Sequence, residues 1–439
     1  MRWLPVISTS GIVAFALGCR GGPEQAHGHA APAPACSVLA PDLAVVRHRF
    51  SNAPAPDSEL ATTIRDLEVR VNAPAATPFD LTDLAELYFR RGQLDGDVED
   101  YQASEAMARR SLALLPFPNG AALTLAKLAS ARHDFRAAIT IGRQHLTRKG
   151  SAGTYIVLAS AHLALGELGE AIGAAESAVA RSPGSSTYLM RALVMQAQGR
   201  DAEAAFDFAR AATVETHGDP YEAARIRTLW GRFLLRRGEL AGAALLFDEA
   251  LRIVPAYPLA LAQRAELALR HGRWKEARGL FEQAFAASRQ VRYLMDLGRA
   301  QELSGDPVGA DRSRTLVETI VRAELEDHGY GHQLDLVELL VDRGTAADLA
   351  AAVPLAREEL GRRPSAETRF QLARALARLG ARDEAMTHVR AALATGARDA
   401  RLYELAARVE TGPRAALYAR EAEALDPGGS GWRQLGMGR

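Results

Sequence analysis

The chain has 439 residues, enough for two or three ordinary domains or for one long repeat array. Ala, Leu, Arg and Glu dominate and aromatic residues make up only 6%, which suits helices packed through small side chains and predicts an all-α protein. Lys plus Arg and Asp plus Glu each total 53, so no global field draws the molecule to phosphate backbones, which argues against a nucleic-acid partner.

Residues 1–18 carry Arg2 and then an apolar run from Leu4 to Leu17, too short for a comfortable membrane span and suited to the core of a secretory signal peptide. Ala16, Leu17, Gly18 and Cys19 resemble a bacterial lipobox, in which small residues precede a cysteine that becomes the acylated first residue of the mature protein. Ala16 stands where leucine is usual and Leu17 where a smaller residue is usual, so a simply cleaved signal peptide is the alternative. The resemblance implies lipidation at Cys19 and an exported protein anchored to a membrane without spanning it. Arg20 occupies the place where aspartate would resemble an inner-membrane retention signal, so the expected location is the outer membrane, facing the periplasm. The other cysteine, Cys36, cannot build a disulfide framework for so large a chain.

Residues 19–57 are rich in Ala, Pro and Gly without helical period, and read as a disordered tether. His27 and His29 lie on it without a third ligand, so no metal is assigned there. Residues 58–73 then place Leu60, Ile64, Leu67 and Val71 on one stripe, the mark of a single amphipathic helix capping the end of a stack.

From 80 to 427 one interval recurs. Gly166 precedes Ala171 by five residues, and the same spacing joins Gly199 to Ala204, Gly238 to Ala243, Gly272 to Ala277, Gly305 to Ala310 and Gly380 to Ala385. His133 takes the glycine's place before Ala138. Glycine adopts the left-handed conformation that closes a helix, and the alanine lets the following helix approach the first. Phe208, Phe247 and Phe281 follow four residues after their alanines and fill the space between hairpins, while Pro116, Pro183, Pro255, Pro364 and Pro427 mark the ends of second helices.

This pattern resembles the tetratricopeptide repeat, whose first-helix motif W-x2-L-G-x2-Y and second-helix motif A-x3-F…A…P are represented by Tyr155, Leu158, Ala159, His162, Ala171, Ala178 and Pro183. Another unit shows Trp230, Gly231, Leu234, Ala243, Phe247, Ala250 and Pro255. The resemblance implies an α-α superhelix of about ten helix-turn-helix repeats over 80–427, followed by a flexible tail at 428–439. It weakens at the first-unit insertion DGDVED, at ETHGDPYEA, and around DHGYGHQ and TAADLAAAV.

No nucleophile elbow, metalloprotease helix, phosphate loop or paired-cysteine motif is present, so neither a catalytic residue nor a cofactor is assigned. His328 and His332 with Asp327 and Asp335 are the nearest approach to a metal cluster, but Gly329 and Gly331 break the helix that would align them. One position of the first helices carries Arg232, Glu266, Arg299, Glu338 and Arg374, alternating in sign. The resemblance places these on the concave face, as an inter-repeat salt-bridge ladder or as a groove that grips a partner peptide with help from Arg225, Arg292 and Glu302. The Lys and Asn clamp that some members use for a terminal carboxylate has no counterpart at these positions.

The expected function is a non-enzymatic scaffold, a lipid-anchored envelope adaptor or assembly factor that holds a protein or peptide in its concave groove. The alternative is a hydrolase or carbohydrate-active enzyme in that groove, whose signature would be two facing carboxylates with raised pKa in an enclosed pocket. Self-association through the solenoid ends would instead leave an exposed apolar end surface.

Overall fold

The computed structural model describes residues 41–50, 56–216, 219–326 and 333–427. All of them lie in the unit Leu39–Arg439. The expected signal peptide at 1–18, Cys19, Cys36, the histidines at 27, 29, 328 and 332, and the expected tail 428–439 fall outside the described residues.

Among the described residues, a short helix α1 (Leu43–Val46) and a longer one, α2 (Pro56–Val71), precede ten antiparallel hairpins. The first five are α3 (Pro78–Asp95) with α4 (Val98–Leu114), α5 (Gly120–Ala131) with α6 (Phe135–Lys149), α7 (Ala152–Leu165) with α8 (Leu168–Arg181), α9 (Ser185–Ala197) with α10 (Asp201–Thr213), and α11 (Pro220–Arg236) with α12 (Leu240–Ile253). The second five are α13 (Pro258–Arg270) with α14 (Trp274–Ala287), α15 (Val291–Leu303) with α16 (Pro307–Glu326), α17 (Gln333–Arg343) with α18 (Ala346–Arg362), α19 (Ala366–Arg378) with α20 (Arg382–Leu393), and α21 (Ala400–Val409) with α22 (Arg414–Leu425). Among the described residues no strand forms, and no helix is long and apolar enough to cross a membrane.

The joint works as the spacing predicts. Gly166 adopts φ 77° and its N–H donates to the Leu163 carbonyl, closing α7 before α8 begins. The other five glycines of the series share the left-handed region, and His133 reaches it too, at φ 60°. Each alanine five residues on, from Ala138 to Ala385, is fully buried between the two arms. The first hairpin departs from the rule because of its insertion: Gly96 makes the joint, and the small residue at the contact is Ser104, whose hydroxyl donates to the Ala85 carbonyl at 2.7 Å. Pro354 lies inside α18 rather than ending it; it sits on the exposed face, where water can reach the carbonyl of Ala350 that proline leaves without a donor.

The cap helix α2 buries Ile64, Leu67 and Val71 against Leu81 and Leu84 of α3. One part of the expected tether is ordered. Residues 42–50 lie against α10 and α12, with Val46 in the same apolar cluster as Phe208 and Leu246. Arg227 of α11, fully buried, donates to the Val46 carbonyl at 2.7 Å and grips Glu215 at 2.8 and 3.0 Å. His48 meets the same Glu215 at 2.9 Å through Nδ1, and its backbone N–H donates to Glu249 at 2.7 Å. An Ala/Pro-rich composition gives no sign of partners so distant in sequence.

The solenoid turns far enough to meet itself. Arg289 N–H donates to the Asp95 carbonyl at 3.2 Å, and Gln290 reaches the Gln93 carbonyl, 197 residues earlier, at 3.4 Å. Arg237 donates to the Leu425 carbonyl, 188 residues later, and the joints at Gly199 and Gly238 abut Arg398 and Pro427. At about 34 residues per repeat, these separations correspond to about six repeats per superhelical turn.

Gly231 of α11 shows how tightly the arms meet: a Cβ there would lie 2.5 Å from the ring of Phe247. Alanine is the better helix former by about 1 kcal/mol, yet the clash outweighs that gain. Gly231→Ala is expected to lower the unfolding free energy by about 1–3 kcal/mol in denaturant titration, and the loss should shrink in a Phe247→Leu background.

Candidate functional site

Because first helices face inward, closure gathers the concave faces of α9, α11, α13, α15, α17, α19 and α21 around one cavity of about 480 Å³. That volume lies within the range of small-ligand sites, about 300–1,000 Å³. Residues from the adjoining turn complete the wall, among them Asp399, Arg401 and Asp426.

Six of the expected groove residues line this cavity: Arg232, Glu266, Arg292, Arg299, Glu338 and Arg374. Arg225 and Glu302 do not. Arg225 pairs with Glu222 on its own helix at 3.3 Å, and Glu302 turns to Arg314 of α16. Both fail for the same reason: each lies on a part of its helix that finds a carboxylate or guanidinium before it reaches the concave axis.

The salt-bridge ladder forms across α15, α17 and α19. Glu338 accepts from Arg292 at 2.9 Å and from Arg299, and Arg299 also reaches Asp342 at 2.5 Å and Asp296 at 3.2 Å. Arg374 pairs with Asp342 at 2.8 Å, one helical turn beyond the expected partner, and holds Gln371 at the same distance. Burial pushes the Glu338 carboxyl up, but Arg292 and Arg299 outweigh it and hold the group well below the usual carboxylate range. Arg292 stays partly exposed and is screened by water, whereas Arg299, Glu338, Asp342 and Arg374 are largely buried; removing one of these four leaves a buried charge alone, at about 3–5 kcal/mol, so they fix the spacing of three repeats. On the adjoining turn, Arg401 spans Asp399 and Glu367 at 2.8 and 2.7 Å.

The ladder stops at α13. Glu266 is 8% exposed and makes no hydrogen bond or ion pair among the described residues. Burial, more than the nearby Asp296, pushes its pKa up against the pull of Arg236 and Arg270. Arg232 has its Nε buried without an acceptor, and burial with Arg236 beside it lowers its pKa to about 10. Arg236, four residues further along α11, also lines the cavity. Arg236, Asp296, Asp342, Gln196 and Gln263 were not singled out by sequence; Arg236, Asp296 and Asp342 had a signal there, their i+4 spacing on a helix from Arg232, Arg292 and Glu338. Among the described residues no group of three His, Cys, Asp or Glu side chains is arranged to hold a metal ion.

A model of the tetratricopeptide-repeat family matches residues 156–220, 189–258 and 263–310. Residues 156–258 and 263–310 thus match tetratricopeptide repeats, a repeat type from which protein-interaction scaffolds are built. Among curated proteins, none matches it. Solved structures similar in their repeats include PilW, a type IV pilus biogenesis factor, at 17% identity and TM-score 0.37, covering 45% of this chain and 91% of that one. A tetratricopeptide repeat protein from Parabacteroides merdae follows at 15% identity and TM-score 0.39, covering 55% and 92%. PilF of Pseudomonas aeruginosa stands at 20% and 0.37, covering 47% and 93%. At this level of similarity none of them bears on function.

Glu266 supplies a pH test. A carboxyl whose folded pKa is raised binds its proton longer in the native state, so its contribution falls as pH rises above the unfolded value of about 4.3. Glu266→Gln is therefore expected to raise the melting temperature at pH 8, with the gain shrinking toward pH 4; equal gains at both values would contradict an unpaired, buried carboxyl.

Proposed function

We propose that this scaffold is an exported, non-enzymatic envelope adaptor or assembly factor, anchored through lipid on Cys19 at the outer membrane and facing the periplasm. The partner is a protein or peptide that sends a short segment into the concave cavity, since about 480 Å³ does not admit a folded surface. The observation that carries this reading is the convergence of seven inward-facing helices on a charged cavity in which Arg232 keeps a buried donor to offer and Arg236 joins the wall. The lipobox-like Ala16-Leu17-Gly18-Cys19 supports the anchor, and the residues 20–40 that follow give the scaffold reach from the membrane.

The enzymatic alternative draws on Glu266 and Asp296, both pushed up by burial in one cavity. Asp296, however, is held by Arg299 at 3.2 Å, which removes it as a free partner for a two-carboxylate mechanism. The scaffold reading needs no such pair.

Capture from detergent-solubilised envelope membranes tests the proposal. Wild type should retain a partner that Arg236→Glu loses, and equal capture by both would sink the cavity as the docking site. Labelled palmitate should enter the protein and disappear in Cys19→Ala; label persisting in that variant would remove the anchor.

A further inference from the structure

The cavity is not uniform. On the side formed by α15, α17 and α19, Arg292, Arg299 and Arg374 each have a carboxylate within hydrogen-bond distance. On the side formed by α9, α11 and α13, charges of both signs face the same space without meeting. Arg232 Nε has no acceptor, and Gln196 and Gln263 bury their Oε1 atoms without a donor. Glu266, more than nine-tenths buried, lines the same wall without a partner among the described residues. The groups are near enough to act on one another: Arg236 is the leading opposite charge felt by Glu266, and Glu266 is the one that favours the charged form of Arg232.

This corner discriminates by charge. A bare anion seated on Arg232 and Arg236 meets the carboxyl of Glu266, and a bare cation seated on Glu266 meets two guanidiniums. A molecule with an anionic acceptor at one end and N–H donors a few bonds away satisfies every group at once. Each glutamine can present either end of its amide, so the two can follow the ligand's donors. Leu259 and Ala262 of α13, with Tyr293 beside them, add an apolar wall able to take an aliphatic side chain. Unpaired buried groups are destabilising, and a site that retains several of them is organised around something that binds.

We propose that the corner between α9, α11 and α13 binds a small zwitterion, a free amino acid or short peptide, with its carboxylate on Arg232 and Arg236 and its ammonium against Glu266 and the amide oxygens of Gln196 and Gln263. The apolar wall favours a neutral, aliphatic side chain. This goes beyond the adaptor reading and does not depend on it, because the ligand is soluble and its binding is measured with no partner present.

Calorimetric titration of the full-length chain decides the matter. The probes are L-leucine, L-alanine and L-alanyl-L-alanine, set against N-acetyl-L-leucine, L-leucine amide and inorganic phosphate. At least one zwitterion should bind saturably with Kd below about 1 mM, and both blocked leucines should bind at least about ten-fold more weakly. Glu266→Gln, close to the native shape, should weaken zwitterion binding about ten-fold with the helical circular dichroism unchanged. Arg232→Gln should do the same, and Arg232→Lys should restore part of the loss. Binding of phosphate or N-acetyl-L-leucine as tight as that of L-leucine would reduce the corner to a plain anion site and overturn the proposal. No saturable heat from any zwitterion at about 10 mM would overturn it as well.

Discussion

The structure depends on one constraint: two antiparallel helices come into contact only where a small side chain lies between them and the chain reverses through a left-handed joint. Ala171, Ala204, Ala243, Ala277, Ala310 and Ala385 are each fully buried at that contact, and the joint before each carries a positive φ. A uniform hairpin stacks on its neighbour at a uniform angle, so the rise and rotation of the array follow from the local contact. The aromatic residues Phe208, Phe247 and Phe281 set the gap between successive hairpins and thus the tightness of the curve.

That curve is tight enough for one turn of the solenoid to rest on the next, and this changes the chemistry of the concave face. In an open solenoid the inward charges would be bathed in water and their pairing would contribute about 0–1 kcal/mol each. Here Asp399, Arg401 and Asp426 arrive from the adjoining turn and enclose them. Enclosure raises the stakes of every pairing: Arg299 and Glu338 become members of a desolvated network that locks three repeats, while Glu266 and Arg232, left without partners, become the groups that distinguish the site. The same closure therefore produces both the rigid half of the cavity and its receptive half.

The hairpins were legible in the sequence because their determinants are local. A glycine and an alanine five residues apart report a joint and a contact directly, and even His133 could be placed in the left-handed region from its position alone. The inward position of Arg232, Glu266, Arg299, Glu338 and Arg374 followed from repeat register for the same reason. What could not be read was everything set by accumulated rotation. The meeting of Gln290 with Gln93, the clasp of Arg227 and Glu215 on residues 46–48, and the pairing of Arg374 with Asp342 instead of Glu338 depend on small angles summed over several repeats. Arg225 and Glu302 were misplaced because helical spacing gives a face but not the neighbour that reaches it first.

The claim that the concave face is an enclosed cavity rests on the contact between turns, and an electron-spin distance measurement addresses that contact directly. Spin labels at Gln93→Cys and Arg289→Cys, two exposed positions on facing edges, would be introduced in a chain whose Cys19 and Cys36 are replaced. A single, short and narrow distance distribution in solution is the result this account predicts. A broad distribution centred at long distance would mean that the turns stand apart and the groove is open.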